Sequence, residues 1–171
     1  MILAVDPGIT GALASFDEAA MRLIAVTDMP VTTTMKRGRE RNAIDVIELT
    51  DWLRVHYEMG ARCIAIEHVQ GLPGQGAPSA FTFGYGFGEL LGTSRILGFN
   101  VRLVRPQEWH KDHFIRGRGR DKASSRNRAT KIMPDAAHNW KRVKDHGRAD
   151  SVSRRCAGCQ KRRQAPGLPG S

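Results

Sequence analysis

The apolar positions at the start of the chain come in short runs. Ile2 to Val5 is one, and it stops at a single acid, Asp6. Pro7 and Gly8 break the strand there, since proline lacks a donor and glycine tolerates positive φ. Gly11 to Phe16 is apolar again, and Met21 to Val26 forms a third run after a turn at Asp17 and Glu18. Two connections this tight predict an antiparallel meander of three strands. Pro30 to Arg41 is polar and basic and reads as an exposed loop. Asn42 is suited to cap a helix over Ala43 to Met59, with Val46, Leu49, Leu53 and Tyr57 on one face and Gly60 as its stop. Arg62 to Val69 contains three consecutive apolar residues, Ile64 to Ile66. That pattern suits a parallel strand covered on both faces. It too ends on a single acid, Glu67.

The next stretch carries two periods. Phe81, Phe83, Tyr85 and Phe87 alternate as a strand would, while Gly84, Gly88 and Gly92 recur at helical spacing. Parallel strands need a crossover, so the helix is the expected form, its glycines facing a sheet at close approach. Gly98 ends it, and Val101 to Val104 is the next strand. Pro106 opens a helical turn over Gln107 to Phe114. A basic segment, Ile115 to Lys122, precedes a helix from about Lys122 to Met133 and a loop with His138 and Trp140.

This order of elements predicts an α/β fold with a mixed five-stranded sheet, three antiparallel strands then parallel ones, flanked by helices. The chain has 171 residues, enough for one domain with a real core. Its net charge of +10 points to a polyanionic partner, nucleic acid first. The excess lies from Arg102 onward. The cysteine count is odd, at three. With no signal-peptide pattern and no apolar run fit to span a bilayer, a reduced cytoplasmic setting is expected.

Acids end the first and fourth sheet strands. If those strands are neighbours, Asp6 and Glu67 converge, and Asp150 in KDHGRAD could join them. Clustered carboxylates repel unless a cation neutralises them, and hard oxygen ligands select Mg²⁺ or Mn²⁺. Alternatively, Asp6 only caps its own turn.

DPGITGALA, IAIEHV, VRLVRPQEWHK and KDHGRAD, in that order, resemble the RuvC-type Holliday junction resolvases, in particular the small phage and prophage group. The resemblance covers about Met1 to Asp150. It implies an RNase H-like fold, a homodimer, and metal-dependent cleavage of four-way DNA junctions, with two ions in the site. It also implies that Asp6, Glu67 and Asp150 are metal ligands. The family's usual acid three residues before the last one is absent, because Gly147 stands there. His146 or Asp145 would have to substitute, and the HGRA arrangement favours His146. Lys111 would lie near the scissile phosphate. Arg116, Arg118, Arg120, Lys122, Arg126 and Arg128 would track the DNA backbone.

Other residues invite plainer readings. His68 points away from Glu67 if the strand persists, and Trp109 is expected to pack. Cys156 and Cys159 form half a zinc site, but Cys63 falls in a core strand, so no structural zinc is expected. Two rivals remain. One is a junction-binding protein that has lost cleavage. The other is an actin- or sugar-kinase-like phosphate-binding domain, whose turn DPGITG resembles, although no second phosphate turn is visible. The nuclease domain is expected over 1–155. From 156 to 171 the chain is a basic tail with glycine and proline that cannot bury a core face.

Overall fold

The structure is a computed structural model and describes residues 1–20, 22–36, 38–69, 74, 76–105 and 122–152. Three strands open the chain: β1 (Ile2–Asp6), β2 (Ala12–Asp17) and β3 (Arg22–Asp28). They form the expected antiparallel meander. β4 (Val31–Lys36) and β5 (Arg39–Ile44) follow, then helix α1 (Val46–Glu58), β6 (Cys63–Glu67), helix α2 (Ala77–Ile96) and β7 (Asn100–Val104). After residue 121 come helix α3 (Lys122–Ile132), two 3₁₀ segments (Pro134–Trp140 and Val143–Asp145) and a short helix, α4, over 146–152.

The main sheet has the order β3-β2-β1-β6-β7. β1 pairs parallel with β6, and β6 with β7, so the sheet is mixed as expected. Ile64, Ala65 and Ile66 are fully buried because both faces are covered. On one face Leu3, Val5, Leu13, Ile64 and Ile66 pack under Leu49 and Leu53 of α1 and Leu90 of α2. On the other, Ile2, Ala4, Ala14 and Phe16 pack under Ala129, Met133, Trp140, Ala149 and Val152. Each large aliphatic side chain so buried contributes about 1.5–3 kcal/mol. Among the described residues, no helix is long and apolar enough to cross a membrane.

Three expectations are corrected. Pro30 to Arg41 is not a loop. Most of it belongs to the two-stranded antiparallel sheet β4–β5, with Gly38 at φ 71° between the strands. Threonine is β-branched and holds strand geometry well even at exposed positions. The cap of α1 is Asp45, not Asn42, and its carboxylate accepts from the Ile47 and Glu48 amides at 3.1 Å each. Asn42 lies inside β5.

The third correction concerns α2, which is helical but differently oriented. A Cβ at Gly84, Gly88 or Gly92 would meet nothing within 4 Å, so that stripe does not face the sheet. The buried row is Gly86, Leu90 and Ser94. A Cβ at Gly86 would lie 3.0 Å from Ile44 Cδ1. Leucine anchors the helix, and the glycine stripe lies two residues away, about 200° around the axis. Phe81 and Tyr85 are exposed beside it, with their rings stacked at 6.5 Å between centroids.

Candidate active site

β1 and β6 run parallel in register, with Ile2 opposite Cys63, Ala4 opposite Ala65 and Val5 opposite Ile66. The next step of that register sets Asp6 beside Glu67, about one strand spacing of ~4.8 Å away. Side chains alternate along a strand. Leu3 and Val5 belong to the α1 face, so Asp6 shares the face of Ile2 and Ala4. The same parity puts Glu67 with Ala65 and Cys63. Both acids are half-buried. They therefore stand together on the face covered by α3 and α4, at the end of the sheet where β1 turns into β2.

The turn after Asp6 is held tightly. The Gly11 amide donates to the Gly8 carbonyl at 2.9 Å. A Cβ at Gly11 would lie 1.9 Å from the Asp6 carbonyl oxygen, so only glycine fits. α4 seats against this turn through Gly147, whose Cβ would be 2.5 Å from the Thr10 carbonyl oxygen and 3.2 Å from Gly11 Cα. Ala149, Ser151 and Val152 are buried, so the described part of the helix is packed rather than loose. His146 and Asp150 are four residues apart on α4, hence on one face. Ser125 of α3 donates its hydroxyl to the Asp150 carboxylate. Among the described residues, His146 Nδ1 is buried and has no hydrogen-bond partner. An orphaned ring nitrogen is costly unless a ligand satisfies it.

Asp145, the other substitute considered for the missing acid, is committed elsewhere. It is buried, accepts from Arg142 Nη2 at 2.9 Å, and caps the Arg142 amide at 2.9 Å. The hydrogen bonds from the Arg142 guanidinium hold its carboxyl below the ordinary carboxylate range, against the opposing effect of burial. A depressed folded value makes the carboxylate stabilising above its unfolded value of 3.8. That contribution is lost as pH falls through the lower folded value. Asp145→Asn is therefore expected to lower the thermal midpoint at neutral pH, and to lose less than the wild type on acidification to pH ~3. Parallel curves for the two proteins would mean that this group does not carry the acid sensitivity.

Two positioning contacts left no trace in the sequence. Arg148 of α4 forks onto Asp28 at the end of β3, at 2.7 and 2.8 Å. Trp140 is buried, and its Nε1 donates to Thr130 Oγ1 at 3.0 Å. Both tie the segment bearing His146 and Asp150 to the rest of the molecule.

The remaining expected site residues fall into two groups. Lys111, Arg116, Arg118 and Arg120 lie outside the described residues, as do Trp109, Cys156, Cys159 and the tail from 156 to 171. Lys122 opens α3. Arg126 donates from Nη1 to the Lys141 carbonyl at 2.9 Å, so it also braces α3, and Arg128 is half-buried. His68 follows the end of β6. Its amide donates to the Val104 carbonyl at 2.8 Å, and its Nδ1 is buried without a partner among the described residues.

The carboxylates suit a hard divalent cation, two at the ends of adjacent strands and a third on α4, while the imidazole of His146 is a borderline donor beside them. Among the described residues, no three of the His, Cys, Asp and Glu side chains stand close enough together to hold one ion.

The sheet order, the acids at its paired strand ends and the helical layers define an RNase H-like fold. Within that class it is a RuvC-like fold. The chain is similar to a solved structure of Thermus thermophilus RuvC at 15% identity and a TM-score of 0.54, covering 95% of each chain. It is also similar to T. thermophilus RuvC in complex with a Holliday junction substrate, at 13% identity and a TM-score of 0.58, covering 96% of this chain and 95% of that one. No protein-family model and no curated protein matches it.

Proposed function

We propose that this protein is a divalent-metal-dependent endonuclease that cleaves four-way DNA junctions. The observation that carries the reading is the parallel register of β1 and β6, which brings Asp6 and Glu67 side by side in a RuvC-like fold. In this reading Asp6 and Glu67 hold Mg²⁺ or Mn²⁺, with His146 and Asp150 supplied by α4. When bound there, such cations would supply Lewis-acid stabilisation of charge at the scissile phosphate and activation of water. The protein's own part is to fix the two carboxylates on rigid strands and to hold α4 over them through Gly147 and the Arg148–Asp28 fork. Lys111 belongs to the proposal as the cation beside the phosphate, and Arg116, Arg118, Arg120, Lys122, Arg126 and Arg128 as contacts to the backbone. The active form is a homodimer, matching the two-fold symmetry of a junction. The exposed face of α2 around Phe81 and Tyr85 is available for it.

One observation favours a second reading at one position. Asp150 is hydrogen-bonded to Ser125 rather than gathered with the other acids, as suits a junction-binding protein without cleavage. Both readings require DNA binding. The expected result is a preference for a four-way junction over linear duplex of the same length. The binding should also depend steeply on salt, with a log–log slope of about −0.9 for each phosphate neutralised on duplex arms. Equal affinity for junction and duplex, or a flat salt dependence, contradicts both. Cleavage of the junction in Mg²⁺ separates the first from the second.

A further inference from the structure

The β4–β5 hairpin has no part in the site just described, yet it starts beside it. Asp6 pairs with Ala12, and Ala12 with Asp28, at one end of the main sheet. The Met29 amide donates to the Gly11 carbonyl at 2.9 Å, and the Asp45 amide to the Pro30 carbonyl at 3.0 Å. These bonds fix the base of the hairpin at the sheet end that carries the acids. Six residues in each strand give it a reach of about 20 Å.

Its two faces differ in charge. Directly paired residues share a face. Ile44 pairs with Val31, Asn42 with Thr33 and Glu40 with Met35. Ile44 is buried in the core, so this face turns inward at the hairpin's base, while farther out Met35, Asn42 and the hairpin's acid, Glu40, are exposed on it. The opposite face carries Arg41, paired with Thr34, and Arg39, paired with Lys36. Arg39 and Arg41 are exposed, and among the described residues neither is in an ion pair. Thr32 and Thr34 are exposed as well. One face of an exposed ribbon thus offers guanidinium groups and hydroxyls with no acid among them.

We propose that the outward face of this hairpin is a second DNA contact, which lies along a duplex arm and neutralises its phosphates with Arg39 and Arg41. The inference rests on the proposed function for the identity of the substrate. The grounds for it are charge complementarity, the position of the hairpin's base, and its shape. A two-stranded ribbon is among the few protein shapes that fit against B-DNA without unfolding either partner. Arginine is the better cation here, because its fork matches two phosphate oxygens.

The test uses the full chain and four-way junctions with long and short arms, binding being read as a function of salt. Arg39→Glu/Arg41→Glu should keep the wild-type thermal midpoint, because both side chains are exposed. It should bind the long-armed junction at least tenfold more weakly, with a salt slope shallower by about 1.8 for the two lost contacts. Shortening the arms should shrink the difference between variant and wild type. Glu40→Gln, on the other face, should not weaken binding. Unchanged affinity and slope for the double variant overturn the proposal. So does a change in oligomeric state without a change in DNA binding, which would make the ribbon a protein contact. If the wild type binds all DNA forms alike, the junction reading fails, yet the slope difference still decides whether the hairpin touches DNA.

Discussion

Gly147→Asp is expected to destabilise the protein rather than complete its metal site. The RuvC-type pattern that the sequence resembles has an acid at this position, so the substitution looks like a repair. The atoms that a side chain would meet are the Thr10 carbonyl oxygen at 2.5 Å and the Gly11 carbonyl carbon at 3.1 Å. They are backbone atoms of the turn that Gly11 itself holds shut, so they cannot step aside as a flexible side chain would. Overpacking of this kind costs roughly 1–3 kcal/mol, or about 2–4 °C in midpoint per kcal/mol at this chain length. Gly147→Ala should show most of that loss, because the Cβ alone makes the clash. Cleavage should fall in both variants as α4 lifts from the turn. A Gly147→Asp protein with an unchanged midpoint and tighter Mn²⁺ binding would show that α4 does not seat here.

Asp6→Asn carries the largest expected effect on activity. The change is isosteric and leaves β1 in place, but it removes one of the two carboxylates set side by side by the β1–β6 register. Loss of a group that stabilises charge in the transition state typically lowers kcat by about a hundredfold to a thousandfold. Junction affinity should stay near the wild-type value, since the cations that bind DNA lie elsewhere. Glu67→Gln should behave alike. An Asp6→Asn protein that cleaves at the wild-type rate in Mg²⁺ removes Asp6 from the site. One that loses binding together with cleavage shows instead that the turn itself has been disturbed.

The parts of the fold legible in the sequence were those written in local pattern. The runs from Ile2 and Ile64, each ended by one acid, disclosed two central strands and their acids. The crossover rule chose the helix for α2 over the period-two aromatics. The β4–β5 hairpin was missed because its strands are mostly polar and, beyond Ile44 at the base, largely exposed, so no apolar alternation marks them. The orientation of α2 was missed for another reason. A glycine stripe says that close approach is possible, whereas the large buried Leu90 decides which side is approached. The elements that hold the site are tertiary. Arg148 and Asp28 are 120 residues apart and Ser125 and Asp150 are 25 apart, and neither pairing has a local signature. The departure at Gly147 was visible, but its cause, contact with the Thr10–Gly11 backbone, was not.

The proposed junction cleavage requires metal held by Asp6 and Glu67. Single-turnover cleavage of a mobile four-way junction, with excess protein in Mg²⁺, Mn²⁺ or EDTA, tests it most directly. Paired incisions near the crossover in either metal, abolished by EDTA, are the predicted result. An intact junction in both metals, under conditions where it is fully bound, would contradict it.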